Sequence, residues 1–521
     1  MARRGLVSTS PAVYQTPMRF LLAVLLAFLT ACDMADGGDA GEAIAVTFVA
    51  DDGTGDVDLY GRESWVTGAT HLGLTAHASD GRVVPALATS WRVLDSGRSY
   101  IFKLRPATWP DGRDITAGDV VAVLRRQMAP GGDMALKPYL MDVHEAEAVA
   151  ANRKPPRMLG VDDPLPDVVA ITLDRPHPAL LSMLAHPSLA VVRREDPPPP
   201  SGPYAVKNNA LLPNPDWYGA GADNALAGIS LTELGLEEAF AAYESGESDI
   251  VMGGTTAGLR RTRAPGLEAA LRLEQTIGLY GYLARTSGGP LRDVRLRRAL
   301  AMTATREALP GYFALDGMQP AYGPLAPNLP EAYAGAVPDW ATWARVLRYQ
   351  EAARLLGEAG YGPEAPLTLD VAFPQGPDHS GILETLSEGW LPLGVRIRAF
   401  VRPAALHREA IGTGDYDLAA IERIAPATLP FFFLRPFNCG ERLGGYCNRE
   451  ADRLMMEARQ QDQYGERVQR IRRAARLIAE DAPVIPLFSP MRWALVRPGI
   501  TGWETNIVGA HPPEYLRREG N

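Results

Sequence analysis

Short runs of apolar and polar residues change their period along the chain, and the change marks its elements. Ala43-Ile44-Ala45-Val46-Thr47-Phe48-Val49 and Tyr100-Ile101-Phe102-Lys103-Leu104 are rich in β-branched and aromatic residues and predict strands. Elsewhere the spacing is helical. Thr116 and Asp119 open one helix, as N-cap and as a shorter version of the capping-box acid, and Val120, Val121, Leu124 and Met128 supply its apolar stripe. Residues 350–359 predict a second helix that stops at Gly360, and residues 450–460 a third that starts from Asn448. Residues 467–482 predict a fourth, with Val468, Ile471, Ala475 and Ile478 on one face and Pro483 as its stop. Pro197 to Pro200 predict a stiff, exposed loop. Strands and helices mix without regular alternation, which favours several α/β lobes joined by crossing segments over a single doubly wound sheet.

With 521 residues the chain is long enough for two or three lobes, each with its own core. Its 46% hydrophobic and 22% charged content is that of a folded protein, not of a disordered chain or a bundle of membrane spans. Residues 1–31 hold three arginines and no acid, so removing them takes the formal charge from −9 to −12. That balance argues against nucleic acid as a partner.

The N-terminus reads as an export signal. From Met18 the chain runs MRFLLAVLLAFLTAC: a basic start, an apolar run from Phe20 to Leu29, then Leu29-Thr30-Ala31-Cys32. The run is shorter than the roughly 20 residues a spanning helix needs. The last four residues resemble a bacterial lipobox, which makes residues 1–31 a signal peptide, Cys32 the lipidated anchor and residues 32–42 a flexible tether. Pro11 and Pro17 precede a complete signal, so translation is expected to begin at Met18. Export implies an oxidising compartment, in which Cys439 and Cys447 can pair across a glycine-rich loop; two thiols with no histidine or further cysteine nearby make a poor zinc set.

Several segments, in order, resemble the dipeptide/oligopeptide-binding class of bacterial solute-binding proteins. The most specific is residues 83–121, VVPALATSWRVLDSGRSYIFKLRPATWPDGRDITAGDVV; SGPYAV (201–206), LRDVRLRRALAMTATREAL (291–309), GYCNREADRLM (445–455) and AEDAPVIPLF (479–488) support it. The resemblance implies an α/β, two-lobed periplasmic-binding-protein clamp with mixed sheets and type II-like topology, its first lobe enlarged by an extra subdomain. Lobe I would comprise residues 43–275 plus 484–521, and lobe II residues 280–480. The hinge would lie near 275–280 and 480–484. It further implies a monomer held by Cys32 on the outer face of a membrane, which captures a small ligand and hands it to the permease subunits of an ABC importer. The rival is the same fold reused as a non-transport lipoprotein: a receptor, chaperone or accessory subunit.

Peptide binders of this class anchor the ligand's ammonium on an aspartate after a strand of pattern Gly-Trp-x-Ala-Asp. Here Glu422 and Arg423 stand at the Gly-Trp positions and Pro426 at the aspartate, while Arg285 stands where asparagine is common. The usual peptide anchor is thus missing, and the expectation is a ligand other than a generic peptide with a free amino terminus, peptide-like or another small, even anionic, molecule, with Arg285 and Arg423 facing it and Glu422 orienting them or reading a cationic group. Surface or lobe-to-lobe salt bridges are the plainer role for these three. Tyr282 and Phe431 to Phe433 are candidates for an apolar lining, against burial in a core. The eight histidines are scattered, with His71 and His77 the nearest pair, and neither a His-Glu-x-x-His nor a Gly-x-Ser-x-Gly sequence occurs. No enzyme, metal or cofactor is expected.

Overall fold

Every element is traced in a computed structural model, which describes residues 43–50, 61–132, 134–221 and 226–519. The signal segment, the tether and Cys32 lie outside the described residues.

Among the described residues the longer strands assemble into three sheets. The seven-stranded sheet has the order Leu271–Gln275, Met491–Val496, Ile250–Met252, Ile44–Val49, Ile229–Leu234, Ala210–Pro213, Tyr204–Lys207. Its centre is parallel: Ile44–Val49 runs alongside both Ile229–Leu234 and Ile250–Met252, and the flanking strands are antiparallel. A four-stranded antiparallel sheet, Ala88–Leu94, Ser99–Leu104, Val168–Thr172, Val161–Leu165, forms the extra unit of the N-terminal half.

The third sheet has five strands in the order Val395–Arg402, Leu367–Pro374, Leu418–Ile424, Gly278–Ala284, Val484–Phe488. All seven residues of Gly278–Ala284 are buried, as a central strand covered on both faces requires. At a register shift beside Gly281, a Cβ would lie 2.4 Å from the Ile485 carbonyl oxygen, so only glycine lets the strands approach there. Helices Val294–Thr303, Pro377–Trp390 and Ala404–Thr413 pack against this sheet.

The local signals act as their chemistry dictates. Asp119 accepts from both the Thr116 N–H and its hydroxyl, at 2.8 Å each, at the start of helix Ala117–Met128. Asn448 accepts from the N–H groups of Glu450 and Ala451 and starts helix Arg449–Gln460. Helix Arg345–Glu358 begins five residues before the expected position 350 and gives way to Gly360, whose φ of +87° suits glycine alone. Helix Tyr464–Asp481 buries Val468, Ile471, Ala475 and Ile478 and ends before Pro483. Of the proline run, Pro197 is exposed and Pro198 to Pro200 are half-buried.

The chain passes from the seven-stranded to the five-stranded sheet at Thr276-Ile277 and returns at Ser489-Pro490. The return was expected at 480–484. It comes later because Val484–Phe488, buried along its whole length, pairs with Gly278–Ala284 instead of joining the first sheet.

Candidate functional site

The two crossings lie side by side and are tied together. The Thr276 hydroxyl donates to the Pro490 carbonyl at 2.7 Å, and the Ser489 hydroxyl donates back to the Thr276 carbonyl at 3.1 Å. Asn328 caps the pair, its amide donating to the Thr276 carbonyl at 2.9 Å and to the Ser489 hydroxyl at 3.1 Å. Two adjacent backbone segments held this way form a neck that joins the seven-stranded to the five-stranded sheet.

A cavity of about 590 Å³ opens beside this neck. One wall comes from the four-stranded unit, through Tyr139, Asp142, Arg175 and His177. The other comes from segments beyond the five-stranded sheet: Ala427 to Phe431, Arg435, Asn438, and the facing sides of helices Arg449–Gln460 and Tyr464–Asp481. Ile277 of the first crossing lines it as well, with Ile507 and Val508 of the C-terminal segment. A smaller cavity of about 120 Å³, lined by Trp65, His77, His186, Pro426, His511 and Glu514, shares Val508 with the first.

The walls meet at several points. Arg98 pairs with Asp462 at 2.7 Å, and Arg459 with Glu147 at 2.9 Å. The rings of Tyr139 and Phe432 lie 5.4 Å apart. Within the walls, Arg175 pairs with Asp142, Arg435 with Glu441, and the His177 ring meets the Tyr139 carbonyl. Mostly apolar side chains with a few converging charges give this cavity the character of a small-molecule site. Behind the smaller cavity, buried Glu274 holds His511 and Arg492, and the Trp503 ring stacks on His511 at 3.8 Å.

None of Tyr282, Arg285, Glu422 and Arg423 lines either cavity. Arg285 follows the end of its strand farthest from the neck and pairs with Asp417 at 3.2 Å. Arg423 is buried, donates to the Phe432 carbonyl at 2.7 Å, and stands 4.5 Å from that ring; burial pushes its guanidinium down to about 9. Tyr282 is fully buried, 6.3 Å from the Tyr280 ring, and burial raises its hydroxyl above the usual range. Glu422 alone reaches between the sheets, accepting from the hydroxyls of Thr255 and Thr256. Phe432 and Phe433 belong to the core and Phe431 to the cavity wall.

Cys439 and Cys447 form a disulfide, and it closes the loop that carries Glu441 beside the cavity residue Asn438. His71 bonds to Thr70 and His77 to Ser182, and among the described residues no group of three potential metal ligands occurs. Tyr139, Asp452 and Arg467 are not among the expected site residues. The helices of Asp452 and Arg467 are legible, but nothing in their spacing says that they face the four-stranded unit, and the short turn Lys137–Tyr139 carries no pattern that marks it.

Comparison with known proteins agrees with this architecture. The family model for bacterial extracellular solute-binding proteins, family 5 (Middle), matches residues 82–444. The periplasmic oligopeptide-binding protein OppA of Escherichia coli (strain K12) is 25% identical over 455 residues, covering 83% of each chain. The probable deoxycholate-binding periplasmic protein YgiS of the same strain is 24% identical over 483 residues, covering 85% of this chain and 86% of its own. Among solved structures, OppA of Burkholderia pseudomallei superposes with a TM-score of 0.79 at 23% identity, over 91% of this chain and 99% of that one, a likeness of fold.

Proposed function

The chain belongs to family 5 of the bacterial extracellular solute-binding proteins, which bind their ligands and are not enzymes, and from that premise we propose that it feeds an ABC importer. It captures a peptide-like solute, or another small ligand with an anionic group, in the cavity beside the crossings and presents it to the permease subunits. The single observation that carries this reading is the cavity of about 590 Å³ whose walls come from both sides of a two-strand neck. A ligand that touches both walls favours their approach, because only a difference in affinity between two states can shift their balance.

The relatives support a peptide-like ligand without fixing it. OppA is an oligopeptide-binding protein and YgiS a probable deoxycholate-binding one, so relatives of comparable likeness differ in the chemistry of their guests. Lobe I is residues 43–275 with the C-terminal return, lobe II the segment between the crossings, and the crossings are the hinge. Arg285 and Arg423 have partners within their own unit, so the anionic group of the ligand needs other arginines, and the cavity supplies them.

Cys32 carries the lipid that keeps the protein, as a monomer, on the outer face of a membrane. The Leu29-Thr30-Ala31-Cys32 segment after a short apolar run supports this. Intact-mass measurement tests the anchor: a diacylated or triacylated chain beginning at Cys32 is expected, and an unmodified chain beginning earlier contradicts it. Native mass spectrometry of protein purified without refolding tests the capture. A retained small molecule of defined mass is expected, released by mild denaturation.

A further inference from the structure

The larger cavity is built from turns, loops and helices. None of the described residues that line it belongs to a β-strand. Pro138, Pro176, Pro178, Pro330 and Pro430 stand in its walls and have no N–H to give. The carbonyls of Tyr139, His177, Ala179, Pro330 and Leu429 already accept hydrogen bonds from within the protein. An extended peptide brings an N–H and a C=O with almost every residue, and each costs free energy if it is buried without a partner. A strand edge satisfies such a backbone, and no described residue offers one here.

The walls offer apolar surface instead. Tyr139, Phe431, Met455, Met456, Ile471 and Val508 line the cavity. Aromatic rings give broad flat contacts, and unbranched methionines adapt to an irregular guest. The volume of about 590 Å³ is that of a site for a drug-sized molecule.

The charges of the lining are rich in arginine: Arg175, Arg435, Arg459 and Arg467 against Asp142 and Asp452. Glu441 and Glu147 pair with Arg435 and Arg459 from outside the lining. Both pairs are partly exposed, and such pairs contribute little, so a guest anion replaces one at small cost. Arg435 is the better placed. Its guanidinium lies 5.9 Å from the centre of the Tyr139 ring on the facing wall, while its partner Glu441 belongs to its own wall. Arg459 is bound to Glu147 of the opposite wall, and freeing it breaks a contact between the two.

We infer that the guest of this cavity is an amphipathic anion, a carboxylate or sulfonate on a bulky hydrocarbon body, which lies against the apolar walls with its charged end on Arg435. The inference rests on the solute-binding reading above and names the ligand class for that cavity. The guanidinium offers the anion a planar fork of donors.

The test is calorimetric titration of the mature chain with cholate, a rigid steroid carboxylate, below its micelle concentration, beside its uncharged methyl ester and the peptide Ala-Leu-Ala. Cholate is expected to bind, the ester about tenfold more weakly for want of a charge-assisted hydrogen bond, and the peptide more weakly still. Arg435→Gln should bind cholate and ester alike. Met456 is exposed on helix Arg449–Gln460, so its replacement leaves the fold intact. Met456→Glu should lose about tenfold in cholate affinity, because it sets a like charge against the anion in place of apolar surface, whereas Met456→Leu should keep it. Circular dichroism confirms that the variants fold. Peptide bound more tightly than cholate overturns the inference and leaves the capture of a solute standing. Cholate bound with equal affinity by wild type, Arg435→Gln and Met456→Glu does the same, since it then sits elsewhere. If the folded protein binds neither probe and native mass spectrometry finds no retained molecule, both readings fall.

Discussion

The carboxylate of Glu422 accepts a hydrogen bond from the Thr256 hydroxyl at 2.6 Å, and its second oxygen accepts from Thr255. Glu422 lies on a central strand of the five-stranded sheet, and the threonines follow strand Ile250–Met252 of the seven-stranded one. A buried carboxylate with donors from the opposite body is therefore a direct link across the crossings. It sits four residues before Pro426 of the smaller cavity.

Glu422→Ala removes the acceptor of the Thr255 and Thr256 hydroxyls, which come from the other sheet. Hydrogen bonds to a charged group contribute about 1.5–3 kcal/mol each. The open population of the variant should rise and its ligand affinity fall by about tenfold. Small-angle scattering of the empty variant should give a larger radius of gyration than wild type, and calorimetry the weaker binding.

Arg306 is buried and donates to the carbonyls of Ala301, Ala304, Ala321 and Pro486, joining the end of helix Val294–Thr303 to strand Val484–Phe488. Replacement by methionine fills the volume but takes the guanidinium donors from the carbonyls of Ala301, Ala321 and Pro486, while that of Ala304 keeps the backbone N–H of residue 306. Arg306→Met should cost about 3–5 kcal/mol of unfolding free energy, read from the urea midpoint.

The disulfide between Cys439 and Cys447 closes a loop with a sequence separation of 8. Loop-closure entropy for so short a loop stabilises by about 2.5 kcal/mol. The double serine variant should melt several degrees lower, and because Asn438 and Arg435 line the cavity, it should also bind more weakly. Reductant should reproduce the effect in wild type and change nothing in the variant.

Much of the fold is readable from residues whose signals are local. Thr116 with Asp119, and Asn448 before Glu450, are satisfied within one turn of chain, so no distant contact is needed to interpret them. The site is less readable because it depends on which way side chains point and which elements face each other. Adjacent residues of a strand point to opposite faces, so Glu422 and Arg423 cannot both face one cleft, and the structure sends them to Thr256 and Phe432 respectively. Asp452 and Arg467 line the cavity because two helices lie opposite a unit more than 250 residues upstream, a juxtaposition that no local pattern encodes.

His71 is buried, and burial lowers its pKa from 6.5 to about 4. The folded protein therefore refuses a proton that the unfolded chain accepts. Its contribution is present in full above pH 6.5 and is lost as pH falls from there toward 4, by up to about 3 kcal/mol. Urea midpoints at about pH 7.5 and about pH 5 should differ less in His71→Gln than in wild type.

The central claim is that the two sides of the cavity close on a solute, and distance measurement between spin labels tests it most directly. Arg153, exposed on the four-stranded unit, and Arg473, exposed on helix Tyr464–Asp481, are replaced by cysteine and labelled with the native disulfide left intact. With a solute that calorimetry shows to be bound, a single short distance is predicted, against a longer and broader distribution for the empty protein. Identical distributions with and without bound solute would contradict the account.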